Sequence, residues 1–184
     1  MRRIAFALAL FLAACGQQTP SVSDQIERQE AEQSRVEQQN LAAAQRFLEE
    51  TSRRPGVQAR PSGLLYETVS ASANPNLPHP GANATVLVHY EGKLADGTVF
   101  DSSFQRGQPA QFPLAGVVPG FAQALGLMRP GDEMIAYLPP ELGYGAEGQP
   151  PTIPANAALV FRIQLLAFRT PDGQVVEAPR PPAH

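Results

Sequence analysis

The fold class that the sequence predicts is α+β: an antiparallel β-sheet wrapped on one short amphipathic helix, preceded by a helical stalk. Three observations lead there. Residues 85–91 and 159–165 alternate apolar and polar side chains with the period of half-buried strands. Phe121, Ala124, Leu125 and Met128 recur at the three- and four-residue spacing of a single apolar helix face. A stretch rich in Gln, Glu, Ala and Arg over 17–50, with no Pro between Pro20 and Pro55, favours one long helix.

In chain order, the 184 residues, 43% hydrophobic and 17% charged, suit one globular domain with extensions. Arg2 and Arg3 precede an apolar run over 4–14. A membrane span needs about 20 residues, so this run has the length of a signal-peptide hydrophobic region, and 1–14 is excluded from the fold. Residues 15–56 form a tether and stalk whose helix starts near Ser23 or Asp24 and is broken by Arg53-Arg54-Pro55-Gly56. Ile26, Val36, Leu41, Ala44, Phe47 and Leu48 do not hold a heptad, because Gln29, Gln33 and Asn40 occupy matching positions. A solvated stalk is expected, with at most a weak dimer contact near Leu41 to Leu48.

The compact domain spans 57–169. Its strands are expected over 63–69, 85–91, 132–138 and 159–165, with Asp96-Gly97 turning the chain into Val99 and Phe100. The amphipathic helix starts near Pro119 and stops at Pro130-Gly131. From Pro171-Asp172-Gly173 onward, 170–184 is polar and rich in proline, and is expected to be disordered.

Composition excludes several function classes. With 14 basic against 17 acidic residues and a net charge of -3, the chain has no sequence-wide basic signal for nucleic acid or an anionic membrane surface. One cysteine, Cys15, rules out an intramolecular disulfide and a multi-cysteine zinc site, while His79, His89 and His184 are scattered. Neither a metal nor a cofactor is expected. His89 lies in a strand opposite the Val86 and Tyr90 face, the setting of a packed or surface histidine. No nucleophile pattern, phosphate loop or paired-carboxylate cluster stands out.

Two stretches do carry a resemblance. Leu12-Ala13-Ala14-Cys15 is similar to a bacterial lipoprotein processing box. It implies that Cys15 is lipidated, and Gly16 after it implies the outer membrane of a Gram-negative cell. Loss of 1–14 leaves 12 basic against 17 acidic residues, a net charge of -5, so acyl chains and not protein charge would hold the chain to a membrane. The second is an ordered series: Val88-His89-Tyr90-Glu91-Gly92, Asp96 through Ser103, Arg106-Gly107, Val117-Val118-Pro119-Gly120-Phe121, Leu142-Gly143-Tyr144-Gly145, Ile153-Pro154 and Leu159-Val160-Phe161. In residue types and spacing it resembles the FKBP-type peptidyl-prolyl cis-trans isomerases. Phe47-Leu48-Glu49-Glu50 and residues 61–66 resemble the junction of the macrophage infectivity potentiator branch.

That resemblance implies an FKBP-like fold, an isomerase acting on X-Pro bonds of proline-containing polypeptides, and macrolides as inhibitors. Tyr90, Phe100, Asp101, Val118, Tyr144 and Phe161 would be the catalytic group, with Val117, Phe121, Ile153 and Arg106 binding substrate. Phe121 would be the pocket floor. Tyr144 and the Val118 N–H would donate to peptide carbonyls, while Asp101 would accept from Tyr90 or Arg106 on the lip. An Asp between a strand and Ser102-Ser103 has a plainer use as a turn cap. Three positions depart from the family pattern: Phe121 replaces the usual Trp, Ala110 a bulky apolar rim residue, and Gln149 a rim His. The expected function is acceleration of proline-limited folding of cell-envelope proteins by a lipid-anchored, periplasmic-facing monomer or weak dimer. The competing expectation is a low-turnover chaperone or scaffold of the same fold.

Overall fold

The computed structural model describes residues 21–178; the leader, Cys15 and residues 179–184 lie outside them. Helix α1 (Val22–Ser52) starts one or two residues earlier than expected, because Ser21 and Asp24 cap it reciprocally. The Asp24 N–H donates to Ser21 Oγ at 3.2 Å, and the Ser21 N–H donates to Asp24 Oδ2 at 3.1 Å. Residues up to Gln33 form one compact unit and those from Ser34 another. No helix among the described residues is long and apolar enough to cross a membrane.

Within the second unit, the latter half of α1 is not a solvated stalk. Ala44 and Thr51 are buried, and Asn40, Leu41, Phe47 and Leu48 are half-buried. The face that the sequence left open for a dimer contact is therefore covered by the chain's own domain, and the compact unit begins before residue 57. Arg54 lies over the rings of both Phe47 and Tyr137, closing the helix end on the sheet.

The sheet is eight-stranded and its pairings are antiparallel: β1 (Gln58–Ala59), β2 (Leu65–Ser70), β3 (Thr85–Leu94), β4 (Val99–Ser102), β5 (Ala110–Pro113), β6 (Glu133–Leu138), β7 (Leu159–Arg169) and β8 (Val175–Glu177). Its order is β1-β2-β6-β7-β3-β4, with β5 also on β3 and β8 also on β7. Helix α3 (Pro119–Leu125) packs Phe121, Ala124 and Leu125 on the sheet, and Met128 just beyond it is fully buried. Pro119 opens that helix at its first turn, where a missing N–H costs nothing. Gly120 is there because a Cβ would come within 2.4 Å of Leu138 Cγ; this close approach seats the helix on β6.

Both long strands have divided edges. β4 pairs with Glu91–Lys93 at one end of β3 and β5 with Thr85–Val88 at the other, so the chain between them must bulge off the sheet. That bulge contains the short helix α2 (Ser103–Arg106), capped by Ser102 and closed by Gly107 in the left-handed region. On β7, β6 takes the first half and β8 the last three residues. The segment expected to be a disordered tail thus contributes a strand: Pro171-Asp172-Gly173 forms the turn of a β7–β8 hairpin, with the Thr170 N–H donating to the Gln174 carbonyl at 2.9 Å.

Candidate functional site

Tyr90, on the inward face of β3, opens into a cavity of about 270 Å³. Each neighbouring element contributes to its wall: Phe100 and Asp101 from β4, Phe112 from β5, Gly116, Val117 and Val118 from the turn before α3, Phe121 from α3, Tyr144 from the loop after β6, and Phe161 from β7. The aromatic rings hold one another edge-on. Phe121 meets Phe161 at 5.0 Å, Tyr90 at 5.9 Å and Phe112 at 6.2 Å between centroids, and Phe100 meets Phe161 at 5.6 Å. Edge-to-face packing of this kind stabilises the wall by roughly 0.5–1.5 kcal/mol per pair beyond area burial.

Gly92 lets the Phe100 ring lie across β3. A Cβ there would fall 2.5 Å from Phe100 Cζ and 2.9 Å from Phe161 Cε1. No side chain fits at this position without displacing the wall.

On the lip, Asp101 accepts from Tyr90 Oη on one carboxylate oxygen and from Arg106 Nη1 on the other. Arg106 Nη2 also donates to Tyr90 Oη at 3.1 Å, and its guanidinium lies over the Tyr90 ring. Ser102, and not Asp101, caps α2, so the turn-cap alternative for Asp101 gives way to the ionic one. Burial pushes Asp101 up, but the hydrogen bonds from Tyr90 and Arg106 outweigh it and hold the carboxyl below the usual Asp range. Tyr90 is raised, first by burial and then by its bond to Asp101. Burial and the Asp101 charge raise Tyr144 as well.

Two donors on residues that line the cavity have no protein partner among the described residues: the Tyr144 hydroxyl and the N–H of Val118, whose carbonyl instead starts α3 by accepting from Phe121 and Ala122. An aromatic cavity with two free donors can grip carbonyl groups of an apolar guest and fix their orientation. Among the described residues no cluster of His, Cys, Asp and Glu could hold a metal ion.

Most of the expected residues converge here, with two differences. Ile153 lines an adjoining cavity of about 340 Å³, with Gln149, Pro150 and Thr152, which shares Phe100, Asp101 and Tyr144 with the first. Arg106 lines neither cavity; its side chain is half-exposed and acts on the site through Asp101 and Tyr90. Sequence reasoning missed Phe112 and Gly116. Phe112 sits two residues after Ala110 in a three-residue run between Pro109 and Pro113, too short to read as a strand, although that alternation was the available signal. His89 stacks on Phe104 at 5.0 Å on the other face, as a packed or surface histidine would.

Comparison with known proteins agrees with this geometry. Residues 78–166 match the family described as FKBP-type peptidyl-prolyl cis-trans isomerase, and 12–68 the domain amino-terminal to it. The chain is 42% identical over 130 residues to the peptidyl-prolyl cis-trans isomerase Mip of Coxiella burnetii, covering 71% of this chain and 55% of that protein. It is 36% identical over 146 residues to the outer membrane protein MIP of Legionella longbeachae, covering 79% and 61%. The chain therefore spans between half and two thirds of the length of these relatives. The crystal structure of FkpA from Escherichia coli superposes with a TM-score of 0.70 at 32% identity, covering 87% of this chain and 75% of that one.

Proposed function

This chain belongs to the family of FKBP-type peptidyl-prolyl cis-trans isomerases, and from that premise we propose that its aromatic cavity accelerates cis-trans isomerisation of X-Pro bonds in polypeptides. The observation that carries the reading is the pairing of an aromatic wall with the two unpartnered donors of Tyr144 and Val118.

The chemistry needs neither nucleophile nor proton transfer. An X-Pro bond favours trans by only about 0.5–1 kcal/mol, yet rotation crosses a barrier of roughly 18–20 kcal/mol because planarity preserves amide resonance. The planar imide is the more charge-separated state, with density on its carbonyl oxygen. Twisting returns that density to nitrogen. Water stabilises the planar form; the walls of Phe100, Phe121 and Phe161 replace that water and disfavour it relative to the twisted one. Tyr144 Oη and the Val118 N–H donate to peptide carbonyls and hold the chain on either side of the rotating bond. Lowering the barrier by about 5–6 kcal/mol gives roughly four orders of magnitude in rate. Asp101 and Arg106 take no proton; together they lock the Tyr90 ring and the lip.

The clients on this reading are exported, proline-containing proteins, and macrolides compete for the same cavity. The outer-membrane name of the Legionella longbeachae relative supports a place in the cell envelope. With Cys15 lipidated, the chain would sit on the periplasmic face of the outer membrane. Because the Leu41 to Leu48 face is half-buried against the chain's own domain, we infer a monomer or at most a weak dimer.

A protease-coupled isomerisation assay across a panel of X-Pro peptides tests the activity. Acceleration suppressed by a macrolide is expected. Peptide binding without acceleration would instead support the chaperone reading.

A further inference from the structure

The loop that carries Tyr144 and Ile153 is tied to α1 by two asparagines that reach in opposite directions. Asn40 Nδ2, on the helix, donates to the Ala155 carbonyl at 3.0 Å. Asn156 Nδ2, on the loop, donates to the Glu37 carbonyl of the helix at 3.2 Å. Asn156 is also a node within the loop: its backbone N–H donates to the carbonyl of Gly145, the residue after Tyr144, at 2.9 Å. Inside that closure, Gln149 and Ile153 exchange backbone hydrogen bonds at 2.8 and 2.9 Å. The loop is closed on itself, and α1 holds it from outside.

A plainer reading exists for Asn156, which has φ 58° and so adopts the left-handed conformation that Asn tolerates best after Gly. It does not account for Asn40. Asn is a poor helix former, and here it sits well inside α1, half-buried, with its amide spent on the loop. A reciprocal side-chain tie across a sequence separation of 115 and 119 residues has no role in building either element. It connects them.

We propose that Asn40 and Asn156 are positioning residues: through them the latter half of α1 braces the rim loop, so that Tyr144 and Ile153 meet a peptide already in place. The proposal rests on the isomerase reading for what the loop does, though not for whether the loop is braced. A loop that must be ordered at each encounter weakens binding, whereas one ordered beforehand does not. Cutting the brace should therefore act on KM more than on kcat.

The test uses the full chain with Asn40→Ala, which favours the helix, and Asn156→Gly, which keeps the left-handed conformation and removes the amide. Amide hydrogen exchange is followed at Gln149 and Ile153 and in the β3–β7 ladder, and KM and kcat for an X-Pro peptide come from NMR exchange spectroscopy. Each variant should speed exchange in the rim loop about tenfold and leave the ladder unchanged. KM should rise about 3- to 10-fold, the worth of one hydrogen bond, with kcat within about twofold. Tyr137→Phe, which removes the 2.6 Å bond to Glu67 at another place under the helix, controls for general loosening and should change neither. Rim-loop exchange and KM within about twofold of the parent in both folded variants, or a KM rise matched by Tyr137→Phe, overturns the brace. A parent chain that binds peptide without turnover refutes the isomerase reading instead, and exchange with peptide affinity still decides the brace.

Discussion

Tyr144 and Phe161 touch the same cavity but stand for different contributions. Tyr144→Phe removes one unpartnered donor and leaves the wall intact, so kcat/KM should fall about 3- to 10-fold, the range of a single neutral hydrogen bond. Phe161→Ala opens the wall to water and deletes the edge contacts with Phe121 and Phe100, so its loss should be larger. It should also lower stability by about 3–5 kcal/mol, which denaturant titration would report alongside the kinetics. Wild-type turnover in a folded Phe161→Ala variant would remove this cavity as the site. The titrating groups of the lip predict a pH profile. Asp101 is held below its usual range, so its contribution to stability is present above the unfolded value near about 3.9 and is lost only as pH falls through the folded value. Tyr90 and Tyr144 are raised, so both stay protonated past about pH 10. Turnover at fixed temperature should then be flat between about pH 5 and 9; a midpoint near neutrality would show that a proton is moved after all.

Helix α1 is the element whose role changed most between sequence and fold. Its latter half buries Ala44 and Thr51 and half-buries Leu41, Phe47 and Leu48, so a chain beginning at Val57 exposes the surface beneath them. At about 25 cal/mol per Å² of apolar surface, that loss should cost about 2–4 kcal/mol relative to a chain beginning at Ser34, and calorimetry of the two would measure it. An equal melting temperature would mean that the helix contributes nothing to the domain. Thr51 itself is imperfectly used: its Oγ1 is buried with no hydrogen-bond partner among the described residues. Thr51→Val keeps the shape and removes the stranded hydroxyl, so it should stabilise the fold by about 1 kcal/mol, read as a higher urea midpoint with unchanged slope.

For the molecule as a whole, the proposed place in the cell envelope turns on Cys15, which lies outside the described residues. If the lone cysteine carries the acyl chains, the wild type should fractionate with membranes and incorporate a fatty-acid analogue, and Cys15→Ala should do neither. A soluble wild type with a free thiol would end the lipoprotein reading. Two or more acyl chains suffice for lasting attachment, so a net charge of -5 after loss of the leader is no obstacle.

The long elements were legible before any fold was known, because their signal is local. Val86, Val88 and Tyr90 alternate, Phe121, Ala124 and Leu125 share a helix face, and Pro119 marks that helix start, each within one run of chain. Most of the cavity wall was legible too, through the resemblance to a known family rather than through periodicity. Short strands were not: β5 and β8 have four and three residues, and only the exposed edges of β3 and β7 make strands of them. For the same reason Phe112 went unseen, as its place in the wall depends on β5 pairing with β3. The poor heptad of α1 could not reveal that Asn40, Ala44 and Phe47 face the sheet and its rim loop. Local pattern specifies which way a side chain points along its own element; what it meets there depends on partners more than a hundred residues away, which only the folded chain brings together.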